Sequence, residues 1–562
     1  MRADRIRSRL ALAALLAAFG ILVRALGAAQ GAGDGDAAVV PILRERIERL
    51  RAGAAAGGSR SSAVAHTALP EIYDEGGYRP LWNPERFETL LALVRESEED
   101  GLRPEDYHLA ELTRMAPSVA PGADPAARAD ADILATDSFF LLLYHLYLGK
   151  VDPKSLDPNW NFEPRPVGGQ EGDRFVFDAV RQGRLREAVE RVRPDHWWYA
   201  KARAALATYR DLAARGGWPM VSAGPALKPG SKGPRVVELR RRLAATGELA
   251  GQPGELDGDV YDAPLSAAVS EFQSRHRLER DGAVGAETLA ELNVPVEARM
   301  RQIRINLERA RWVLHEIGPG DLVIVDVAGF QTILARDGKP FWRAKTQVGK
   351  PFRQTPIFKS KIDHLVFNPT WTVPPGILAK DVLPAARKNP AYLQKKGLDL
   401  LDRDGKKVDP ARVDWASRSF PYTVRQEPGP DNALGRVKIM FPNAYHVYLH
   451  DTPSKALFEK EARAFSSGCM RVERPLELAE LLLADPQNWS AAKIDAAVAT
   501  GKTQTVRLRQ PVPVLIMYWT IDPTDEKRTV FKRDPYGRDP ELAQALDEAY
   551  APAAAPAATG AR

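Results

Sequence analysis

The hydrophobic pattern of this chain changes period near residue 320, and that change rules out one uniform fold. Upstream, apolar residues recur at helical spacing: Phe87, Leu90, Leu91 and Val94, then Phe139, Leu142, Leu143 and Leu146. Downstream, short apolar or alternating runs lie between turns, at 322–327, 331–334, 342–348, 437–441 and 446–450. The pattern over 377–420 becomes helical and polar again, which predicts an insertion placed as a lid. The 562 residues suggest three or four domains at about 150 residues each. The fold class expected is therefore α+β multidomain: helical units first, then a mostly β domain with a helical lid insertion.

The flanks carry less. Residues 1–29 read as an export signal: Arg2, Arg5, Arg7 and Arg9, an apolar run over 10–23, then Gly27-Ala28-Ala29 for cleavage. The apolar run is shorter than the ~20 residues that span a bilayer, so inner-membrane association is expected only if the signal stays uncleaved. Residues 30–64 are rich in Ala, Gly, Arg and Ser and read as a linker with one short helix over 42–50. A helical domain is expected over 65–220, a second unit of three helices over 226–294, and a charged amphipathic linker helix over 295–320. The β domain is set at 321–484. Residues 485–549 add strands at 504–508 and 512–519, with Pro511 and Pro513 limiting how the second pairs. The Ala/Pro-rich end, 550–562, reads as a disordered tail.

The net charge is only +6, and no Lys/Arg block is interleaved with aromatics, so nucleic acid is excluded as a partner. An anionic surface such as a cell wall fits the mild basicity. There is no CxxC pair, no HExxH and no phosphate-binding glycine loop, so neither a metal nor a cofactor is expected.

Residues 448–471 hold the chemistry. They contain the chain's single cysteine, Cys469, which can make no internal disulfide. His450 ends an apolar run 469 − 450 = 19 positions earlier. A thiol with an ordinary pKa of about 8.5 is mostly protonated at neutral pH, yet thiolate is the attacking form, so a base must be in reach. Strand alternation puts His446, Tyr448 and His450 on one side. A loop returning through Ser466-Ser467-Gly468 would bring Cys469 across that strand end. Gly468 permits a turn that aims amides at one point, the geometry of an oxyanion hole. A helix starting at Pro475 offers amides that would lower the thiol pKa.

His450-Asp451-Thr452 followed by Ser466-Ser467-Gly468-Cys469-Met470-Arg471 resembles the signature of the L,D-transpeptidases. Gly77-Tyr78-Arg79-Pro80-Leu81-Trp82, the phrase 100–108 and the phrase 149–160 resemble the helical scaffold domain of the large periplasmic members. The stretches 230–243 and 271–293 resemble the three-helix peptidoglycan-binding domain found beside wall enzymes. Residues 368–374 and 428–435 also match the scaffold-bearing group. Ser467 is a departure, since many members have a second histidine there.

That resemblance implies acyl transfer on peptidoglycan in the periplasm of a Gram-negative-type envelope. Cys469 is the implied nucleophile, His450 the general base, and the Gly468 amide an oxyanion donor. Tyr448, Ser466, Ser467, Arg471 and Trp371 are implied on the substrate side. For three of these a second reading stands beside the first: Tyr448 packs on the strand face, Arg471 ties the loop to the sheet, and Trp371 is a core aromatic. The implied product is a 3→3 cross-link with release of D-alanine from tetrapeptide stems, and carbapenems are implied acylating agents. Two alternatives are a noncatalytic peptidoglycan-binding scaffold, and an acyl transferase that uses water or a lipoprotein lysine as acceptor.

Overall fold

The computed structural model describes residues 34–52, 65–165, 169–252, 254–417, 419–523 and 528–548. The signal at 1–29 and the tail at 550–562 lie outside the described residues.

The β domain is built on strands β1 (Asp321–Asp326), β2 (Gln331–Arg336), β3 (Lys339–Gly349), β4 (Phe358–Phe367), β5 (Trp371–Thr372), β6 (Leu398–Leu401), β7 (Lys407–Val408), β8 (Thr423–Gln426), β9 (Val437–Met440), β10 (Leu449–His450), β11 (Ala464–Ser466), β12 (Met470–Val472) and β13 (Gln504–Met517). Nine of them form one sheet in the order β11-β3-β12-β10-β9-β4-β13-β1-β2. The long strand β3 closes it: Lys339–Lys345 pairs with β2, and the following residues pair with β12 and β11. Closure satisfies edge groups that an open sheet would leave to solvent. The Val/Ile-rich β1 is buried on both sides, as a central strand requires.

Three sequence expectations change here. First, 504–508 and 512–519 are not separate strands. They form the single strand β13, which runs between β4 and β1, with a register shift between Arg507 and Val512. Pro511 falls inside that irregular stretch, where the missing N–H breaks no ladder bond. The catalytic sheet therefore extends past residue 484.

Second, the insertion is not simply helical. After a short helical segment it forms its own four-stranded sheet, β5-β8-β6-β7, over a small core that includes Val373, Val382, Leu393, Leu400 and Val424. The strands are two to four residues long, too short for alternation to register in the sequence.

Third, the helix Val296–Val313 is no linker. Ile303, Leu307 and Ala310 are buried, and so are Arg299, Asn306, Glu308 and Arg311. Charges on its inner face are matched rather than solvated, which is why it reads as a surface helix in the sequence. Glu308 accepts from Arg311 at 2.6 and 3.0 Å and from the Val151 amide at 2.7 Å. Arg311 also donates to the Asp100 carbonyl at 2.9 Å and the Tyr199 hydroxyl at 2.8 Å, and Tyr199 donates to Asp100 at 3.0 Å.

The helical units share in this. The helix Val40–Arg51, placed in a linker by the sequence, buries Leu43, Ile47 and Leu50 at helical spacing against the scaffold core. Trp197–Ala214, grouped with the scaffold by sequence, instead packs on the catalytic core, with Trp198 stacked on Trp519 at 4.9 Å. The three-helix unit has a separate core around Leu239, Leu265, Val269, Phe272 and Leu292. Inside it, the buried Gln273 amide spans Asp281, Ala283 and Gly282, fixing the Asp281-Gly282 turn.

Removing one member of the Glu308–Arg311 pair leaves the other charge buried and unmatched. Glu308→Ala is expected to cost about 3–5 kcal/mol in urea unfolding. A loss under about 1 kcal/mol would mean the pair is solvated and the helix peripheral.

Candidate functional site

The site lies where β10 and β12 run parallel, with Leu449 opposite Met470 and His450 opposite Arg471. Lys438 of β9 faces His450, and Gln347 of β3 faces Arg471. Alternation then places Tyr448, His450, Cys469 and Arg471 on one face of the sheet. The rings of Tyr448 and His450 meet edge-on at 5.6 Å. The sequence expectation that His446 joins this face is overturned. His446 has φ of 56°, and Asn443 holds residues 441–447 in a turn, accepting from the Tyr445 and Val447 amides and donating to two carbonyls. Only Leu449 and His450 are strand.

His450 is 3% exposed. Its Nδ1 lies 2.5 Å from the Asp451 carbonyl oxygen. A carbonyl only accepts, so Nδ1 carries the proton and Nε2 holds the free lone pair. Burial pushes the imidazole pKa down from 6.5 to about 3, and the nearby Arg471 guanidinium adds to the shift. The Asp451 side chain is tied off by the Arg436 amide and guanidinium at 3.0 and 2.9 Å and by Lys455. Gly435 is required there: with φ of 60°, a Cβ would meet Asp451 at 2.6 Å.

Burial raises the Cys469 thiol pKa, opposed by the Tyr448 backbone N–H, Lys438, Arg471 and the Tyr448 hydroxyl. The resting pair is thus a neutral thiol and a neutral imidazole, rather than thiolate and imidazolium. The expected help from the helix at Pro475 is replaced by these groups, since β12 separates that helix from Cys469.

The loop that leads into Cys469 is braced from within. Ser466 Oγ accepts from the Gly468 amide at 3.1 Å and donates to the Cys469 carbonyl at 2.6 Å. The Gly468 amide is therefore occupied in the loop, and the donor expected at Gly468 is not free. Gly468 itself has φ of 118°, open to glycine. Thr355 Oγ1 donates to the Gly468 carbonyl at 2.8 Å and accepts from the Gly349 amide at 2.9 Å. The Tyr536 hydroxyl in turn accepts from the Thr355 amide and donates to the Gly349 carbonyl, at 3.1 and 2.8 Å.

Ser467 is exposed and accepts from Arg353 at 3.0 Å. Arg353 also forks onto Asp381 at 2.5 and 3.1 Å. Asp381 belongs to the insertion, within the π-helical turn Leu378–Val382. One guanidinium thus connects the lid to the nucleophile loop. Arg471 donates to Gln347 at 3.2 Å, consistent with tying the loop strand to β3. Trp371 packs against the insertion's own core and pairs with Gln426, so it sits with the lid rather than beside Cys469.

Lys438, Thr355, Arg353 and Tyr536 were not legible as site residues. A lysine amid Val437, Ile439 and Phe441 was the one local signal. Thr355 and Tyr536 reach the loop only through tertiary pairing.

Two predictions follow from this geometry. The His450 pKa in the folded chain lies below its unfolded value, so its contribution to stability is complete above pH 6.5. It drains as pH falls from 6.5 toward 3, by about 1.4 kcal/mol per pH unit. Urea unfolding between pH 7 and 4 should therefore show a shallower acid slope for His450→Gln than for the unaltered chain; equal slopes would mean that His450 titrates normally. The buried His145 and His276, both also pushed down, cancel in that difference. For the lid, Asp381→Asn should speed amide exchange over 375–426 by about two- to fivefold, as an exposed ion pair warrants, with 504–517 unchanged. Unchanged exchange over 375–426 would mean the ion pair does not hold the lid.

Three family models match the chain. Residues 320–516 match the L,D-transpeptidase catalytic domain, residues 67–206 the Scaffold domain, and residues 232–292 the "Putative peptidoglycan binding domain". A Haemophilus influenzae protein named "Putative L,D-transpeptidase" is 36% identical over 222 residues, which is 39% of this chain and 44% of that protein. The chain thus spans under half the length of that relative. Among solved structures, an L,D-transpeptidase from Xylanimonas cellulosilytica is 16% identical, covering 53% of this chain and 99% of its own, at a TM-score of 0.18. One from Stackebrandtia nassauensis is 13% identical, covering 53% and 96%, at 0.20. Likenesses at that level add nothing about the side chains. The closed sheet that carries Cys469, the scaffold helices and the three-helix unit are the three regions matched, the first of them, residues 320–516, by the L,D-transpeptidase catalytic domain.

Proposed function

We propose that the chain is an exported, periplasmic peptidoglycan L,D-transpeptidase that forms 3→3 cross-links through a Cys469 thioester. The observation that supports this reading is the parallel register of β10 and β12, which sets His450 and Cys469 on neighbouring strand ends, with the His450 Nδ1 proton held by the Asp451 carbonyl so that Nε2 is the basic nitrogen.

In the first half-reaction, Cys469 Sγ attacks the carbonyl of the third stem residue as His450 Nε2 takes the thiol proton. The oxyanion forms at the loop, where the Cys469 amide is the donor in this reading, because the Gly468 amide is held by Ser466. Collapse breaks the amide bond to the terminal D-alanine, and His450 returns the proton to that leaving amine. In the second half, the side-chain amine of a neighbouring stem loses a proton to His450 and attacks the thioester, restoring the thiol. The long insertion, clasped through Arg353, is the element that would open for the polymer and close over the pair. The three-helix unit supplies a second hold on the wall.

Cys469→Ala should retain the fold and lose at least ~10³-fold in activity, read as muropeptides by mass spectrometry after incubation with tetrapeptide-bearing wall. The unaltered chain should release D-alanine and give 3→3 dimers. Tripeptides without dimers would indicate water as the acceptor. Normal cross-linking by Cys469→Ala would sink the proposal and leave a scaffold protein.

A further inference from the structure

Two cations flank the reacting pair without carboxylate partners. Among the described residues, neither Lys438 nor Arg471 forms an ion pair, while Asp451, the nearest acid on that strand, is consumed by Arg436 and Lys455. Arg471 is continuous with the nucleophile strand and bonds Gln347. Lys438 has no such structural duty. It is half-buried on the neighbouring strand, directly opposite His450, and its ammonium sits over the Tyr448 ring, 4.0 Å from the centroid. A lysine present only to solvate a strand would extend its ammonium to water. This one turns inward onto the face of Tyr448, whose carbonyl accepts from the Met470 amide at 3.1 Å, which sets Tyr448 beside Cys469.

We propose that Lys438 is a positioning residue for the transpeptidase reaction: its charge, relayed by Tyr448, stabilises the Cys469 thiolate. A cation on the ring face polarises the phenol and makes its O–H a stronger donor to sulfur. The same charge acts on the sulfur across a water-poor interior, where it is screened less than at the surface. The site needs this help. With Cys469 half-buried and His450 held neutral, proton transfer creates two charges at a partly desolvated site, and the cations favour the sulfur's charge while opposing protonation of the imidazole. The groups around Lys438 and Cys469 are Tyr448, which precedes β10, His450 from β10, Val366 opposite Lys438 and His364 two residues away on β4, Arg471 from β12 and Gln347 from β3. No carboxylate among them would cancel the lysine.

This inference rests on Cys469 being the nucleophile, but its test does not need turnover. The chain has one cysteine, so alkylation by iodoacetamide, a neutral reagent, reports a single thiol. Its rate is followed against pH by intact mass in the full chain. Lys438→Met should move the midpoint of that profile up by about one unit, a roughly tenfold loss of thiolate at pH values below it. Lys438→Arg should restore most of the shift, because charge rather than shape is required. Tyr448→Phe should also move the midpoint up, and adding it to Lys438→Met should give less than the sum of the two shifts, since they share one path. If Lys438→Met does not fold, Lys438→Gln supplies the same reading. A wild-type midpoint in a folded neutral variant overturns the proposal, even if cross-linking falls; Lys438 would then be serving a substrate carboxylate. A shifted midpoint in a chain that makes no cross-links would leave the role of Lys438 standing and sink the transpeptidase function, so the two failures are separable.

Discussion

The parallel pairing of Leu449–His450 with Met470–Arg471 is the constraint on which the site depends. Two adjacent strands that run parallel cannot be joined by a hairpin. The chain must leave at Asp451, cross, and return through β11 before it can enter β12. That return forces the tight turn at Ser466-Ser467-Gly468, and the turn sets Cys469 at the mouth of β12. A shift of either strand by one residue would turn its reactive side chain to the opposite face of the sheet. The register is guarded on both sides, by β9 pairing antiparallel to β10 and by the second half of β3 pairing antiparallel to β12. The core beneath, with Val437, Ile439, Leu449, Met470 and Val472 all buried, is therefore the energetic reason that a histidine and a cysteine far apart in sequence share a face.

The surrounding units explain why such a small strand pair can be held still. Strand β10 has two residues and β12 three, too few to persist alone. Their stiffness comes from the chain Tyr536–Gly349–Thr355–Gly468, which links the C-terminal segment to the nucleophile loop by hydrogen bonds. Tyr536 is in turn braced by Tyr518, whose hydroxyl accepts from the Tyr536 amide at 2.9 Å. Tyr518 follows β13, and the Val296–Val313 helix reaches it through Arg309, which lies over its ring. The helical scaffold thus bears on the catalytic loop through packed and hydrogen-bonded contacts, not through a flexible tether.

Much of this organisation was legible from the sequence, and what was not has common physical causes. Period alone separated the helical from the strand-forming half, because Phe87-Leu90-Leu91-Val94 and the Val/Ile run of β1 each face a core. It failed at Val296–Val313, where Arg299, Glu308 and Arg311 are buried but matched: a sequence shows the charge, and only the fold shows its partner. It failed at the lid, where strands of two to four residues are shorter than the window that reveals alternation. At the site, Cys469 and His450 were readable as a local motif, whereas Ser466, implied on the substrate side, has its hydroxyl tied instead to the Gly468 amide and the Cys469 carbonyl. The occupied amide of Gly468, the lid clasp on Ser467 and the cation over Tyr448 were not, since each depends on a residue of another element or on an atom's geometry.

Burial also explains the electrostatic character of the site. A base that stays neutral down to about pH 3 can accept a proton only if something makes the resulting charge separation tolerable. An aqueous site would let solvent do so, but in the proposed reaction solvent would also compete for the thioester. In this reading a half-buried thiol beside fixed cations meets both demands. Lys438 lies over the Tyr448 ring and Arg471 bonds Gln347, so in the proposed reaction no reorganisation is needed when the sulfur becomes charged. The fold bears the expense elsewhere, in two unmatched cations beside a buried histidine. The closed nine-stranded sheet and the matched charges of the Val296–Val313 helix are what make that arrangement affordable.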